Sequence, residues 1–496
     1  MSEAGQFALV VLLTAAVGLV AVLSNRLTQR LLIPTPALML VAAAIAVQIV
    51  PVLQAPSQTT VERLVTVALV CILFDGGMHI GWSRFRSAAL PIVVIGVLGT
   101  FLTVAAGAVF LHVAFGLDWY VSTLVATAVA PTDPAVVFSV LGKREVAGRS
   151  GTILEGESGA NDPVGIALMA SLIAAGGLSG TAFAEVGGDF VLEMAVGAAL
   201  GLIGGRGLLW FMRRVPLPSE GLYPLRTLAS ALILFGVTTL AHGSGFLAVF
   251  VAGIVLGDGR APYKREIERF HSALASLAEI VAFVVLGLTV DLAQLARIEV
   301  WLPGLVLGAV LAFVIRPLLV GVCLARVQLQ AKERTFILFA GLKGAVPILL
   351  GSFLLAANLP DAERLYGIVV VVVVFSVLVQ GSLVPLVARA LRLPVRTVEP
   401  EPWALGVRLR DEPDGVHRFT IAAGSPADGH TIEDLDTLPG DAWVSFVVRA
   451  GRLVSVSADT ELRSGDEVLV LADPNQTDQL RSAFEGPTAS GTDDHR

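Results

Sequence analysis

Apolar residues gather in long runs from the start of the chain to about residue 390, with short polar stretches between them. About thirteen runs stand out, near 6–24, 33–50, 61–79, 89–115, 121–141, 157–178, 189–211, 225–241, 244–257, 276–290, 300–325, 333–357 and 365–390. Roughly 20 helical residues cross the ~30 Å hydrocarbon core of a bilayer. The pattern therefore predicts an all-α polytopic membrane domain over residues 1–393. The ninth and tenth runs are short and are expected to be tilted, broken or partly re-entrant. The first run has no basic stretch ahead of it, so it reads as a mature span and not as a cleaved signal peptide.

The pattern changes after about residue 394. Pro394, Pro400 and Pro402 mark a linker over 394–402. Residues 403–485 are polar, with strand-like runs Trp443 to Arg449, Arg452 to Val456 and Glu467 to Leu471. Turn pairs Pro439-Gly440, Ala450-Gly451 and Gly465-Asp466 punctuate them. A small cytoplasmic α/β domain is expected here. From Gly486 the tail over 486–496 is rich in Gly, Ser, Thr and Asp and reads as disordered.

Composition sharpens the class. Of 496 residues, 55% are hydrophobic and 15% charged, and the mean hydropathy of +0.79 lies outside the range of soluble globular chains. Basic residues alternate between loops. One set carries Arg26 and Arg30, Arg84 and Arg86, Lys143 to Arg149, Arg213 and Arg214, Arg260 to Arg269, Arg326 to Arg334, and Arg389 to Arg396. The other set holds little beyond Arg63, Arg297 and Arg364. This asymmetry predicts an external N-terminus and a cytoplasmic C-terminus, as an odd number of spans requires. Cys71 and Cys323 both fall in spans and read as apolar packers, with no disulfide framework.

Charged groups inside the apolar runs carry the chemistry. Gly156-Glu157-Ser158-Gly159-Ala160-Asn161-Asp162 runs straight into an apolar stretch. Each acid at the centre of a spanning helix costs roughly 2.5–3.5 kcal/mol on insertion scales. On a helix Ser158 and Asp162 share one face, and Glu157 and Asn161 the neighbouring one. That is an oxygen-rich patch suited to a monovalent cation or a proton. Ala130-Pro131-Thr132-Asp133-Pro134 breaks the fifth run, because two prolines interrupt the helical ladder beside a carboxylate. Gly341-Leu342-Lys343-Gly344-Ala345-Val346-Pro347 breaks the twelfth. Interrupted spans seven apart predict an inverted repeat of segments 1–6 and 8–13, with a midplane binding site. Lys343 reads in two ways, as a cation steadying facing half-helix ends or as a snorkelling interfacial side chain. Arg316, alone in the eleventh run, needs a partner, and Glu157 is the natural one. Asp75, read as ending the third span, is either a funnel residue or a helix-end group; His79 and His242 receive no role.

These motifs together, in this order over residues 1–390, resemble the monovalent cation/proton antiporters of the NhaP type. The resemblance implies about thirteen transmembrane helices in inverted repeats with crossed broken helices, and a homodimer in the cell membrane. It implies that Asp162 is the main ion- and proton-binding carboxylate, and that Ser158 and the backbone at Thr132 add oxygen ligands. Asp133 and Asn161 would meet across the crossing, and Glu157 with Arg316 would form a structural ion bridge. Asn161-Asp162, where electrogenic relatives have two acids, implies exchange of one cation for one proton. The family more often has Arg at the place of Lys343. The Ser158-to-Pro163 stretch is more similar to the potassium branch than to the sodium branch. Gly424 to Asp428, Leu438-Pro439, Arg449-Ala450-Gly451 and Leu462 to Glu467 resemble the C-terminal domain of RCK-type potassium-transport regulators. Such domains dimerise and often bind a small ligand, in some cases cyclic di-AMP.

The function expected is antiport of cytoplasmic K+, or Na+, against external H+, with the two ions competing for Asp162. The alternatives are a Na+/H+ antiporter of the same fold, and a transporter-like sensor or cation channel gated by the cytoplasmic domain. Nothing in the sequence suggests an enzyme, a metal or other cofactor, or nucleic-acid binding.

Overall fold

The computed structural model describes residues 34–49, 57–141, 144–146, 149–177, 180–325, 327–357, 359–393, 395–397, 415–435, 438–439, 442–449 and 452–486, together with Leu12 and Leu19. The first apolar run, apart from those two leucines, and the tail beyond Gly486 lie outside the described residues. The chain divides into two compact units, Met1–Trp403 and Ala404–Arg496.

The first unit is helical. After α1 (Thr35–Ile49), α2 (Gln58–Val93), a π-helical turn (Val94–Gly99) and α3 (Thr100–Phe115) form one 58-residue run. Laid straight, such a run would extend about 87 Å, nearly three hydrocarbon thicknesses. It breaks at Gly81, whose φ of 64° and ψ of 165° suit glycine alone. The Asp258 carboxylate sits where a Cβ at Gly81 would fall, and it accepts the Ser83 N–H at 2.5 Å, one of the donors left free where the helix restarts. The third and fourth apolar runs are thus two crossings joined at one glycine.

The chain continues through α4 (Trp119–Ala128), α5 (Pro134–Leu141), a short strand β1 (Arg144–Val146), α6 (Arg149–Ala175), α7 (Gly180–Arg214), α8 (Leu222–Leu240), α9 (Gly245–Gly257) and α10 (Lys264–Leu288). After the single turn α11 (Leu292–Leu295), α12 (Ile298–Val310) joins α13 (Arg316–Leu324) through a π-helical turn (Leu311–Ile315). Then come α14 (Ala331–Phe339), α15 (Ala345–Ala356), α16 (Ala362–Phe375), a third π-helical turn (Ser376–Gln380) and α17 (Gly381–Ala390). Six helical stretches among the described residues are long and apolar enough to cross a bilayer, and three shorter apolar ones accompany them.

One expectation changes. The tenth span is not short: α10 runs unbroken for 25 residues, because the charged turns from Lys264 to Arg269 belong to the helix itself. Just after Leu393, β2 (Val395–Thr397) pairs antiparallel with β1.

The second unit holds a four-stranded antiparallel sheet, β3 (Val416–Thr420), β4 (Trp443–Arg449), β5 (Arg452–Val454) and β6 (Glu467–Leu471), in the order β3-β6-β4-β5. Val468 and Val470 alternate on β6 and face its core, joined by Val444 and Val447 of β4, where a register shift between Val444 and Phe446 puts residues three apart on one face. Helix α18 (Thr477–Phe484) covers that face, and Phe484 stacks on Phe419 with ring centres 5.5 Å apart. β4 and β6 occupy runs legible in the sequence, and β5 ends at Val454. β3 and α18 carry no strong pattern of their own in the sequence.

Candidate functional site

The site is built where two interrupted helices cross. Asp118 caps α4, accepting the Tyr120 N–H at 2.8 Å. Helical geometry stops at Val129, residues 130–133 are irregular, and Pro134 opens α5, where its missing N–H costs nothing. The second interruption follows the same plan. α14 begins with a capping box of Gln330 and Glu333 and ends at Ala340, and α15 starts at Ala345. The Asp133 N–H donates to the Leu342 carbonyl at 2.8 Å, joining the two breaks.

Two breaks at membrane depth leave four half-helix ends without intrahelical partners. Each one here meets opposite charge. Asp133 serves both N-termini: its carboxylate accepts the Ala135 N–H at 2.9 Å and also takes hydrogen bonds from the backbone of Val136 and of Ala345. Lys343 serves the C-terminus of α4, its Nζ donating to the Ala130 carbonyl at 2.7 Å. Arg316 serves the C-terminus of α14, donating from Nε to Leu338 at 3.0 Å and from Nη2 to Ile337 at 3.1 Å. Gln380 adds a third donor there, to the Phe339 carbonyl at 2.6 Å. These placements match the sign of the helix dipole at every end. Lys343 is buried at 6% exposure, which leaves no room for the snorkelling reading.

Glu157 pairs with Arg316 through both carboxylate oxygens, at 2.6 and 2.9 Å. The pair is buried, and the forked geometry satisfies two oxygens with one planar cation. Arg316 therefore uses one guanidinium for an ion pair and a helix end together.

Asp162 lies about one and a half turns of α6 from Glu157, at 6% exposure. α6 runs straight through it as helix, and Pro163 removes the N–H that the Gly159 carbonyl would have used. The Asp162 Oδ2 accepts from the Ser158 hydroxyl at a long 3.4 Å, and Oδ1 has no hydrogen-bond partner among the described residues. Asp133 and Lys343 are both in electrostatic reach of it. Asn161 binds Thr132 twice, donating from Nδ2 to Oγ1 at 2.7 Å and accepting the Thr132 N–H on Oδ1 at 3.3 Å. The expectation that Asn161 meets Asp133 is thus corrected by one residue, because the Asp133 carboxylate is drawn to the two helix N-termini instead.

Asp162, Ser158, Asn161, Thr132 and Asp133 come together in this way, with Glu157, Arg316 and Lys343 beside them. Asp75 does not end a helix: it is buried inside α2, six residues before the Gly81 break, with Oδ2 3.3 Å from the His79 Nδ1. A small cavity of about 20 Å³, room for about one water, reaches the crossing on its basic side, lined by Thr103, Ala130, Arg316, Lys343, Ser376 and Gln380. Two cations face it and Asp162 does not, so it is a poor resting place for a cation. Sequence reasoning passed over Ser376 and Gln380. Ser376 accepts the Lys343 N–H at 2.9 Å and its hydroxyl donates to Gln380 at 3.1 Å. The available signal was a polar pair four apart inside an apolar run.

Comparison with known proteins places this geometry. Residues 12–390 match the family model described as sodium/hydrogen exchanger, transmembrane, and residues 416–485 match the TrkA-C domain. A K(+)/H(+) antiporter NhaP of Alkalimonas amylolytica is 34% identical over 436 residues, 86% of this chain and 75% of that protein. A K(+)/H(+) antiporter NhaP2 of Shewanella sp. (strain MR-4) is 30% identical over 484 residues, 95% of this chain and 83% of that one. The structure of the sodium proton antiporter MjNhaP1 from Methanocaldococcus jannaschii at pH 8 superposes with a TM-score of 0.66 at 22% identity, covering 78% of this chain and 99% of that one.

Proposed function

This chain belongs to the sodium/hydrogen exchanger family, and from that premise we propose how it works. It is a membrane antiporter of monovalent cations and protons and not an enzyme. In our reading the cation is K+, exported from the cytoplasm against one external H+. The K(+)/H(+) designation of the relatives at 30% and 34% identity supports that choice over Na+.

The observation that carries the mechanism is the uncommitted Asp162 carboxylate. Every other charge at the crossing has an internal partner: Glu157 has Arg316, Asp133 has backbone N–H groups, and Lys343 has the Ala130 carbonyl. Asp162 has one long hydrogen bond and a free oxygen. An unneutralised carboxylate at membrane depth costs several kcal/mol. Either a proton or a dehydrated cation cancels that charge, and one carboxylate takes one or the other. Competition couples the two fluxes, and the empty charged site does not cross, which suppresses leak. The Ser158 hydroxyl and the Thr132 backbone supply further oxygens to the cation, while Asn161 holds Thr132 in place. With Asn161 uncharged, only one acid changes its load per half-cycle, so exchange is electroneutral. Rocking of the bundle that carries the broken helices, α6 and α13 exposes the site alternately to the two sides.

The organisation we propose is an antiporter domain over 1–393, a linker over 394–402, a regulatory domain over 403–485 and a tail over 486–496. The N-terminus faces outside and the C-terminus the cytoplasm, and the protein works as a homodimer in the cell membrane. The TrkA-C match supports a regulatory domain that takes a small ligand of the cyclic di-AMP type. Ligand binding there biases the inward- and outward-facing states through a difference in affinity.

The decisive experiment reads cation-dependent dequenching of a pH dye in proteoliposomes, with K+ and Na+ added separately, for the wild type and Asp162→Asn. Exchange with K+ that disappears in the variant is the expected result. A response to Na+ alone would keep the mechanism and reverse the ion. Exchange surviving in Asp162→Asn would end this account of the coupling.

A further inference from the structure

One acid stands apart from the machinery described so far. From Phe270 to Val290 the chain holds 21 residues, and Glu279 is the sole Asp, Glu, Lys or Arg among them. It sits in the membrane-crossing part of α10. A carboxylate at that depth is expensive to keep and is a functional candidate by default, with a partner to be found. α10 packs against α1, α2, α8 and α15, and α15 is the half-helix whose N-terminus Asp133 caps. The Glu279 Oε1 is buried and has no hydrogen-bond partner among the described residues. The residue as a whole is half-buried. Its charged neighbour is Asp133, in electrostatic reach across the packing of α10 on α15.

Structural acids in apolar surroundings are held by cations or by N–H donors, as Glu157 and Asp133 are here. Glu279 has neither. We propose that Glu279 is a route carboxylate, which the transported cation and proton visit on their way to or from Asp133 and Asp162. Asp133 cannot take that part, since its oxygens are occupied by the two helix ends. Glu279 offers a free oxygen and a charge that attracts cations. At an effective dielectric constant near 20, a unit charge about 10 Å from a cation changes its affinity roughly tenfold. Losing the charge should therefore act on the apparent affinity for the cation more than on the maximal rate.

The inference rests on the antiporter reading, and wild-type exchange in the same vesicles tests that reading by itself. Glu279→Gln has the shape of a protonated glutamate and removes only the charge. With K+ as the probe, its apparent KM for exchange should rise about tenfold, with the maximal rate within about twofold, and Glu279→Asp should restore most of the affinity. A wild-type KM in Glu279→Gln would mean a neutral packing acid and would overturn the proposal. So would a loss of maximal rate at unchanged KM, which marks a structural role. Should Glu279→Gln fail to accumulate, Glu279→Cys in a background with Cys71→Ser and Cys323→Ser decides the matter. A positively charged methanethiosulfonate should modify that thiol, and K+ should slow the modification. A thiol unreactive from both sides of the membrane would refute an open route.

Discussion

Arg316 does two jobs with one guanidinium. Its Nη atoms hold Glu157, while Nε and Nη2 hold the last carbonyls of α14. Removing one member of a buried pair leaves the other as an uncompensated charge, at a cost of roughly 3–5 kcal/mol. The two removals are not equivalent here. Arg316→Ala should destabilise the protein more than Glu157→Gln, because it strips two helix-end acceptors as well as the ion pair. Denaturation in detergent micelles, followed by intrinsic fluorescence, reads the difference, and equal losses would deny Arg316 its second task. Arg316→Lys should not restore stability, since an ammonium cannot make the fork to the carboxylate and reach the carbonyls too. Glu157 and Arg316 were both legible in the sequence as charges in apolar runs. The carbonyls were not, because any residue can supply them.

The broken helices set the next scale. Proline and glycine signals in Ala130 to Pro134 and in Gly341 to Pro347 located both breaks, since a missing N–H acts within one turn of its own position. What lies opposite a break depends on the partner segment. Gly344 illustrates this: a Cβ added there would overlap the Asp133 carboxylate, which sits against the Gly344 backbone. The contact is with fixed groups, so Gly344→Ala must push Asp133 away from the α15 N-terminus. Exchange in proteoliposomes should fall by at least about tenfold, the scale of one lost charge–dipole contact in a partly buried setting, with the folded protein still recoverable by size-exclusion chromatography. Normal exchange would show that the capping of α15 by Asp133 is dispensable. The tenth span teaches the opposite lesson about elements. Its length was underestimated because a hydropathy pattern counts charged turns as loop, whereas Lys264 to Arg269 remain helical.

At the scale of the whole molecule, a helical unit and a small sheet unit divide the chain near residue 403. The sheet unit carries its own buried charge pair. Asp466, buried at 1% exposure, is held by Arg449 at 2.7 Å and by the Arg463 N–H at 2.9 Å. Burial alone would raise its carboxyl, but the Arg449 hydrogen bond, the backbone donor and both guanidinium charges outweigh it and hold it below the usual carboxylate range. A carboxyl lowered in the folded state adds stability above the unfolded value of about 3.9, and that contribution is lost as pH falls through the folded value. Hydrogen exchange in the full chain should therefore accelerate over 443–471 as pH drops below about 4, after correction for intrinsic rates. Arg449→Ala should weaken that pH dependence, and an unchanged profile would remove Asp466 as its source.

The sequence by itself determined the membrane class, the succession of apolar spans, both interruptions, and which ionisable residues stand where hydrocarbon should exclude them. Those properties follow from composition and from periodicity within a few turns, and physical chemistry acts on them locally. The tertiary structure alone decided who meets whom. Arg316 reaches Glu157 across 159 positions and Lys343 reaches Ala130 across 213. Asn161 binds Thr132 and not Asp133, because two helix N-termini claim the Asp133 carboxylate first. The isolation of Glu279 is equally a matter of packing. A charge in an apolar run announces that it needs a partner, but only the crossing of the helices determines which groups come within 3 Å of it and which oxygen is left free.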